Sequence, residues 1–181
     1  MRTTSPLLPA LVVVAALGGV GLLSNCGMPT TTTCSDGSCS DAGLVINELA
    51  GSGGDFVELF NASDKAADLS EWGLTDADDA GVRYATALRF ANGVSVAPRG
   101  YLTIFLNNDP CPSTISPCVS APFGIGSTGD TITLLDVPNN TVQQQEYPAN
   151  AAPAGSSLAR KYDGAPTFEL QRRSPGAKNA P

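Results

Sequence analysis

The chain contains no histidine. That absence removes the commonest general base and the commonest transition-metal ligand, and it excludes every Ser–His–Asp and Cys–His nucleophilic arrangement. Charge is also scarce. Only 15% of the 181 residues are charged, and 17 acidic side chains face 10 basic ones. An acid excess of this kind argues against a broad nucleic-acid surface. After Leu23 no apolar run approaches the roughly 20 residues that a membrane-spanning helix needs. From Gly43 onward the helical period is missing as well, so the body of the chain is read as all-β.

The one long apolar run lies at the start. Arg2 is the only early charge, and Leu7–Leu23 is apolar but interrupted by Pro9 and three glycines. A basic start followed by a short apolar run and small residues describes a secretory signal, here residues 1–25. The run ends Leu23-Ser24-Asn25-Cys26-Gly27. This resembles the bacterial lipoprotein signal, with Asn25 standing where that pattern has a small residue. The resemblance implies that Cys26 becomes the lipid-modified first residue of an exported, envelope-bound protein. It also implies that Gly27 is compatible with sorting to the outer membrane. Each buried acyl CH₂ adds about 0.8 kcal/mol of membrane affinity, so more than one chain anchors stably.

Residues 26–42 are rich in Thr, Ser, Asp and Gly and poor in apolar side chains. Such a stretch buries too little surface to offset its ordering entropy and is read as a flexible tether. With Cys26 lipidated, four cysteines remain, and three connectivities are possible. Proximity favours two short local clips, Cys34–Cys39 around a Ser-Asp-Gly-Ser turn and Cys111–Cys118. A four-thiolate zinc site is disfavoured, because neither pair has the two-residue ligand spacing and an exported protein meets an oxidising compartment.

Residues 43–179 read as short strands between Gly, Pro, Asn and Asp clusters. Leu44–Leu49 and Phe56–Asn61 flank a glycine-rich turn and form a hairpin. Further strands are expected at Trp72–Thr75, Thr86–Phe90, Val94–Val96, Tyr101–Leu106, Thr131–Leu135, Thr141–Tyr147, Ser156–Tyr162 and Phe168–Leu170. Tyr101–Leu106 is apolar on both faces and reads as central; the glutamines of Thr141–Tyr147 mark an edge. Eight to ten such strands fit one immunoglobulin-like sandwich.

Seven blocks in order are similar to the lamin-tail domain. They are Ile46-Asn47-Glu48, Gly54-Asp55-Phe56-Val57-Glu58-Leu59-Phe60-Asn61, Asp68-Leu69-Ser70-Glu71-Trp72-Gly73-Leu74-Thr75-Asp76, Pro98-Arg99-Gly100-Tyr101-Leu102, Gly129–Asp136, Ser156–Arg160 and Ser174–Asn179. The resemblance spans Gly43 to Asn179 and implies an immunoglobulin-like β-sandwich used for interaction. The Cys111–Cys118 segment departs from the pattern and reads as a local insertion.

Four features carry possible chemistry. Gly124-Ile125-Gly126-Ser127-Thr128-Gly129 is a literal dinucleotide fingerprint, but it lacks a preceding strand and a following helix, so it reads as a loop before a strand. Asp76-Ala77-Asp78-Asp79-Ala80-Gly81 shares only its glycine with an EF-hand loop and reads as a solvated turn, with an irregular calcium site on Asp76, Asp78 and Asp79 as the competing reading. Residues 160–181 carry a net charge of +3 against −11 for residues 26–159, read as a solvated basic edge. Finally, period-two counting puts Glu58 on the face of Phe56 and Phe60, and Glu48 on the face of Leu44 and Ile46. If those faces are internal, both carboxylates must be hydrogen-bonded. They form either a structural network or a glycosidase-like carboxylate pair.

The sequence is therefore expected to encode a lipid-anchored, non-catalytic binding or scaffolding module without a cofactor or metal. Its expected partners are the membrane, through the lipid, and an envelope protein or polysaccharide. The competing functions are a targeting accessory for a separate envelope hydrolase and a carboxylate-based hydrolase using Glu48 and Glu58.

Overall fold

A computed structural model describes residues 43–76, 88–137 and 140–180. The signal, the tether, Cys26, the Cys34–Cys39 clip and the loop residues Asp78 and Asp79 lie outside these residues.

Twelve strands are described: β1 (Leu44–Ala50), β2 (Phe56–Asn61), β3 (Ala67–Asp68), β4 (Gly73–Thr75), β5 (Leu88–Arg89), β6 (Ser95–Val96), β7 (Tyr101–Phe105), β8 (Cys118–Ser120), β9 (Gly129–Leu135), β10 (Thr141–Pro148), β11 (Ser156–Arg160) and β12 (Phe168–Arg172). They form a six-stranded sheet in the order β12-β11-β1-β2-β7-β8, a four-stranded sheet in the order β10-β9-β4-β5, and a β3-β6 ribbon. The all-β sandwich read from the sequence is the fold. β7 lies inside the larger sheet and β10 on the edge of the smaller one, as their compositions suggested. Two strands, β3 and β8, were not expected. At two and three residues they are too short to show alternation.

The core fills the space between the two larger sheets. Leu44, Ile46 and Leu49 of β1, Val57 and Leu59 of β2, and Leu102 and Ile104 of β7 meet Leu74 of β4 and Ile132 and Leu134 of β9. Burying one such side chain stabilises by about 1.5–3 kcal/mol.

The β1–β2 ladder contains one irregularity that shapes everything on its far face. Ile46 pairs with Leu59, but the next pair is Glu48 with Glu58. Asn47 is therefore an extra residue, a β-bulge. The Ile46 N–H points away from β2, and that buried donor is met by Gln143 Oε1 of β10 at 2.7 Å. The bulge reverses the alternation of everything after it. Leu49 still faces the core, while Glu48 turns to the outer face of the six-stranded sheet. The expectation that Glu48 shares a face with Leu44 and Ile46 is thus incorrect, because period-two counting fails across one inserted residue.

The cysteine insertion builds β8. Cys111 and Cys118 are disulfide-bonded across a separation of seven residues, with a Cα–Cα distance of 6.0 Å. Cys118–Ser120 then runs parallel to β7, with Thr103 paired to Cys118. The Gly124–Gly129 motif is a loop that enters β9, not the start of a helix.

Loop-closure entropy sets the expected effect of the clip. Replacing Cys111 and Cys118 together by serine should lower unfolding free energy by about 2 kcal/mol in urea titrations. The core β1–β2–β7 ladder should remain folded, since the clip constrains only its own loop.

Candidate functional site

The outer face of the six-stranded sheet carries the polar residues singled out from the sequence. Glu48 and Glu58 stand opposite each other across the β1–β2 ladder, and both are fully buried at 0% exposure. They are covered by the segment that follows β12, residues 173–180, which runs back over this face as a strap.

The strap is attached by donors, not by a ladder. Ser174 N–H donates to Glu48 Oε1 at 2.9 Å, and Ser174 Oγ–H donates to Glu48 Oε2 at 2.8 Å. Gly176 N–H donates to Glu58 Oε2 at 2.6 Å. Asn179 N–H donates to Asp163 Oδ1 at 3.0 Å, and its side-chain amide reaches the carbonyls of Arg160 and Asn47 at 2.9 and 3.3 Å. The bulge residue joins the carboxylates: Asn47 Nδ2 donates to Glu58 Oε1 at 3.2 Å and to Asp163 Oδ1 at 3.1 Å. Tyr101 of β7 closes the network by donating to Asp163 Oδ2 at 2.6 Å. Three carboxyl groups are thereby tied to one segment of chain by hydrogen bonds.

The start of the cover is clamped by Arg173, its end by Asn179, and the sheet beneath it is braced by Arg160. Arg173 donates to the carbonyls of Ser52, Gly53 and Gly54 in the β1–β2 turn, and its guanidinium lies 5.7 Å from the Phe56 ring centre. Arg160, 2% exposed, donates to the carbonyls of Ile46 and Ala165 and stacks 4.7 Å over Phe168. Two of the five basic side chains expected on a solvated edge are therefore built into the fold. Gly176 has φ +77°, and a Cβ there would come within 3.2 Å of Ile115 Cγ2 in the disulfide loop. The backbone at this turn thus needs glycine for its conformation and for the close approach of its neighbour.

Burial dominates the electrostatics. It pushes the Glu58 carboxyl up to about 8; the Gly176 and Asn47 hydrogen bonds oppose this shift, and the charges of Glu48 and Asp163 add to it. Tyr101 is raised well above the ordinary phenol range by burial and by its hydrogen bond to Asp163. On the exposed surface the opposite occurs: Asp68 is lowered by hydrogen bonds from Ser70.

A carboxyl with a raised pKa is chemically able to act as an acid, but a substrate must reach it. Two of the surface cavities lie near this face or the β1–β2 turn. One, of about 460 Å³, is lined by Tyr101, Pro98, Pro117 and Gly176 among others; the second, of about 290 Å³, is lined by Ser52, Ser127 and Tyr147 among others. Neither is lined by Glu48 or Glu58. Among the described residues no group of three or more His, Cys, Asp or Glu side chains is arranged to hold a metal ion. Asp76 is buried beside β4.

The structure brings Glu48 and Glu58 together and separates them from solvent. Sequence reasoning identified these two but gave no role to Asn47, Asp163, Ser174 or Asn179. Ser174-Pro175-Gly176 does carry a signal, a turn tripeptide placed after the last strand where no further strand needs it.

Against known families, the lamin tail domain model matches residues 38–149, and the chain belongs to that family. No curated protein matches the chain. The matched region ends before β11, β12 and the strap, so the strap donors to the two glutamates lie beyond it.

The raised pKa sets a pH dependence of stability. A buried carboxyl that prefers its neutral form contributes stability that is complete below the unfolded value of 4.5 and is lost as pH rises through about 8. The melting temperature should therefore fall across that window in the wild-type protein. In Glu58→Gln, which cannot ionise, the same window should show a clearly shallower slope. Parallel slopes for the two proteins would remove the assignment.

Proposed function

We propose that the chain is a non-catalytic binding or scaffolding module, held at the bacterial envelope by lipid on Cys26. One observation carries this reading. The only glutamates that sequence reasoning offered for hydrolysis accept hydrogen bonds from the strap and are closed to substrate. The lamin tail domain is, moreover, a non-enzymatic immunoglobulin-like family. A rigid sandwich with recognition at its loops and edges is a common design for interaction modules. The β10 edge, with exposed Gln144 and Glu146, offers polar side chains for contact with an envelope protein or a polysaccharide.

The anchor and the module are tested separately. Processing of the full chain should be sensitive to globomycin, and the mature protein should carry a lipid mass shift at Cys26. A mature protein with an unmodified Cys26 thiol overturns the anchor. For the module, Glu48→Ala and Glu58→Ala should each lower stability by about 1–3 kcal/mol, the cost of leaving strap donors buried without acceptors. A hydrolytic activity on envelope polysaccharide that disappears in either variant while the melting temperature is unchanged overturns the non-catalytic reading.

A further inference from the structure

The six-stranded sheet ends in β12, and among the described residues no strand pairs with its outer edge. The β11–β12 ladder shows which of its backbone groups are free. Lys161 N–H donates to the Thr167 carbonyl at one end, and Arg173 N–H donates to the Gly155 carbonyl at the other. The register between them is continuous, from Arg160 opposite Phe168 to Ser156 opposite Arg172. Bonded and non-bonded pairs alternate in an antiparallel ladder. The pairs containing Phe168, Leu170 and Arg172 are therefore the non-bonded ones, and the N–H and C=O groups of these three residues point away from β11.

Natural sheets blunt such edges with very short strands, charged side chains, prolines or bulges. The other edges of the two larger sheets, among the described residues, are blunted in these ways. β10 has a bulge between Thr141 and Gln143 and ends in Pro148; β8 has three residues and begins at the disulfide; β5 has two. β12 has five residues, no bulge and no proline, and its two charges, Glu169 and Arg172, are of opposite sign. At its centre stands Leu170, a large apolar side chain that is 57% exposed.

We infer that β12 pairs antiparallel with β12 of a second copy of this chain, joining the two six-stranded sheets across a two-fold axis at Leu170. The edge is self-complementary. With Leu170 opposite Leu170, Phe168 falls opposite Arg172 and Arg172 opposite Phe168. All three free residues of each copy then form bonded pairs in one register. Glu169 falls opposite Gln171 on the other face, so no like charges are opposed. The Arg172–Phe168 pair joins a cation to an aromatic ring on the same face. A two-fold contact of this kind closes at the dimer, whereas a heterologous edge contact would propagate. The inference does not rest on the lipid anchor or on what else the domain binds.

The test uses the full chain in detergent. In a bonded antiparallel pair the Cα atoms lie about 5.5 Å apart, within disulfide reach. Leu170→Cys should yield, under mild oxidation, a dimer whose cross-linked peptides are joined through position 170 of each copy. Glu169→Cys, which faces position 171 of the other copy, should not link to itself. Sedimentation equilibrium should give a wild-type dimer that Leu170→Lys returns to monomer, with an unchanged circular dichroism spectrum showing that the variant is folded. A wild-type chain that is monomeric up to about 100 μM overturns the inference. So does a dimer that persists in folded Leu170→Lys, or one in which Glu169→Cys links to itself as readily as Leu170→Cys.

Discussion

Asn47 is the bulge in the β1–β2 ladder, and it rotates Glu48 from the core face to the outer face, opposite Glu58. Were Asn47 paired regularly instead of bulging, Glu48 would point into the apolar layer between the sheets. With the bulge, two carboxylates stand side by side on a surface of the larger sheet. Buried polar groups without partners are costly, so this arrangement requires a cover that supplies donors. The strap is that cover, and Asn47 itself donates to both Glu58 and Asp163.

The other details of the C-terminal half follow from that requirement. The strap meets the carboxylates mainly with backbone N–H groups, which are fixed in position and lose little side-chain entropy on binding. Arg173 pins its start to the β1–β2 turn, and Asn179 pins its end to the carbonyls of Asn47 and Arg160. The disulfide loop presses Ile115 close to Gly176 from outside. The outer face thereby acquires a small polar core of its own, distinct from the apolar core between the sheets. A domain braced on both faces of its main sheet suits a module that presents loops and edges without rearranging. It does not suit a hydrolase that would need the same two glutamates open to substrate.

Much of the sandwich was legible in the sequence. The strands from β1 to β12 that exceed four residues were each expected close to their observed bounds, because alternation and turn residues mark them directly. The face of Glu58 followed from its spacing to Phe56 and Phe60. The face of Glu48 did not, because a bulge leaves no signature in a period-two pattern and shows itself only in the register. The strap was equally silent as a structure: residues 173–180 have no periodicity, and their meaning lies in contacts with residues more than a hundred positions away. The same holds for Arg160 and Arg173, which read as surface charge in the sequence and prove to be buried or clamped.

Hydrogen exchange at the strap tests the central claim most directly, namely that the two glutamates hold the C-terminal segment as part of the domain. The amides of Ser174 and Gly176 should be protected to an extent comparable with the β2 strand amides. Glu48→Ala should expose mainly the Ser174 amide, and Glu58→Ala mainly that of Gly176. Exchange of both amides at the rate of a free peptide in the folded wild-type protein would contradict the account.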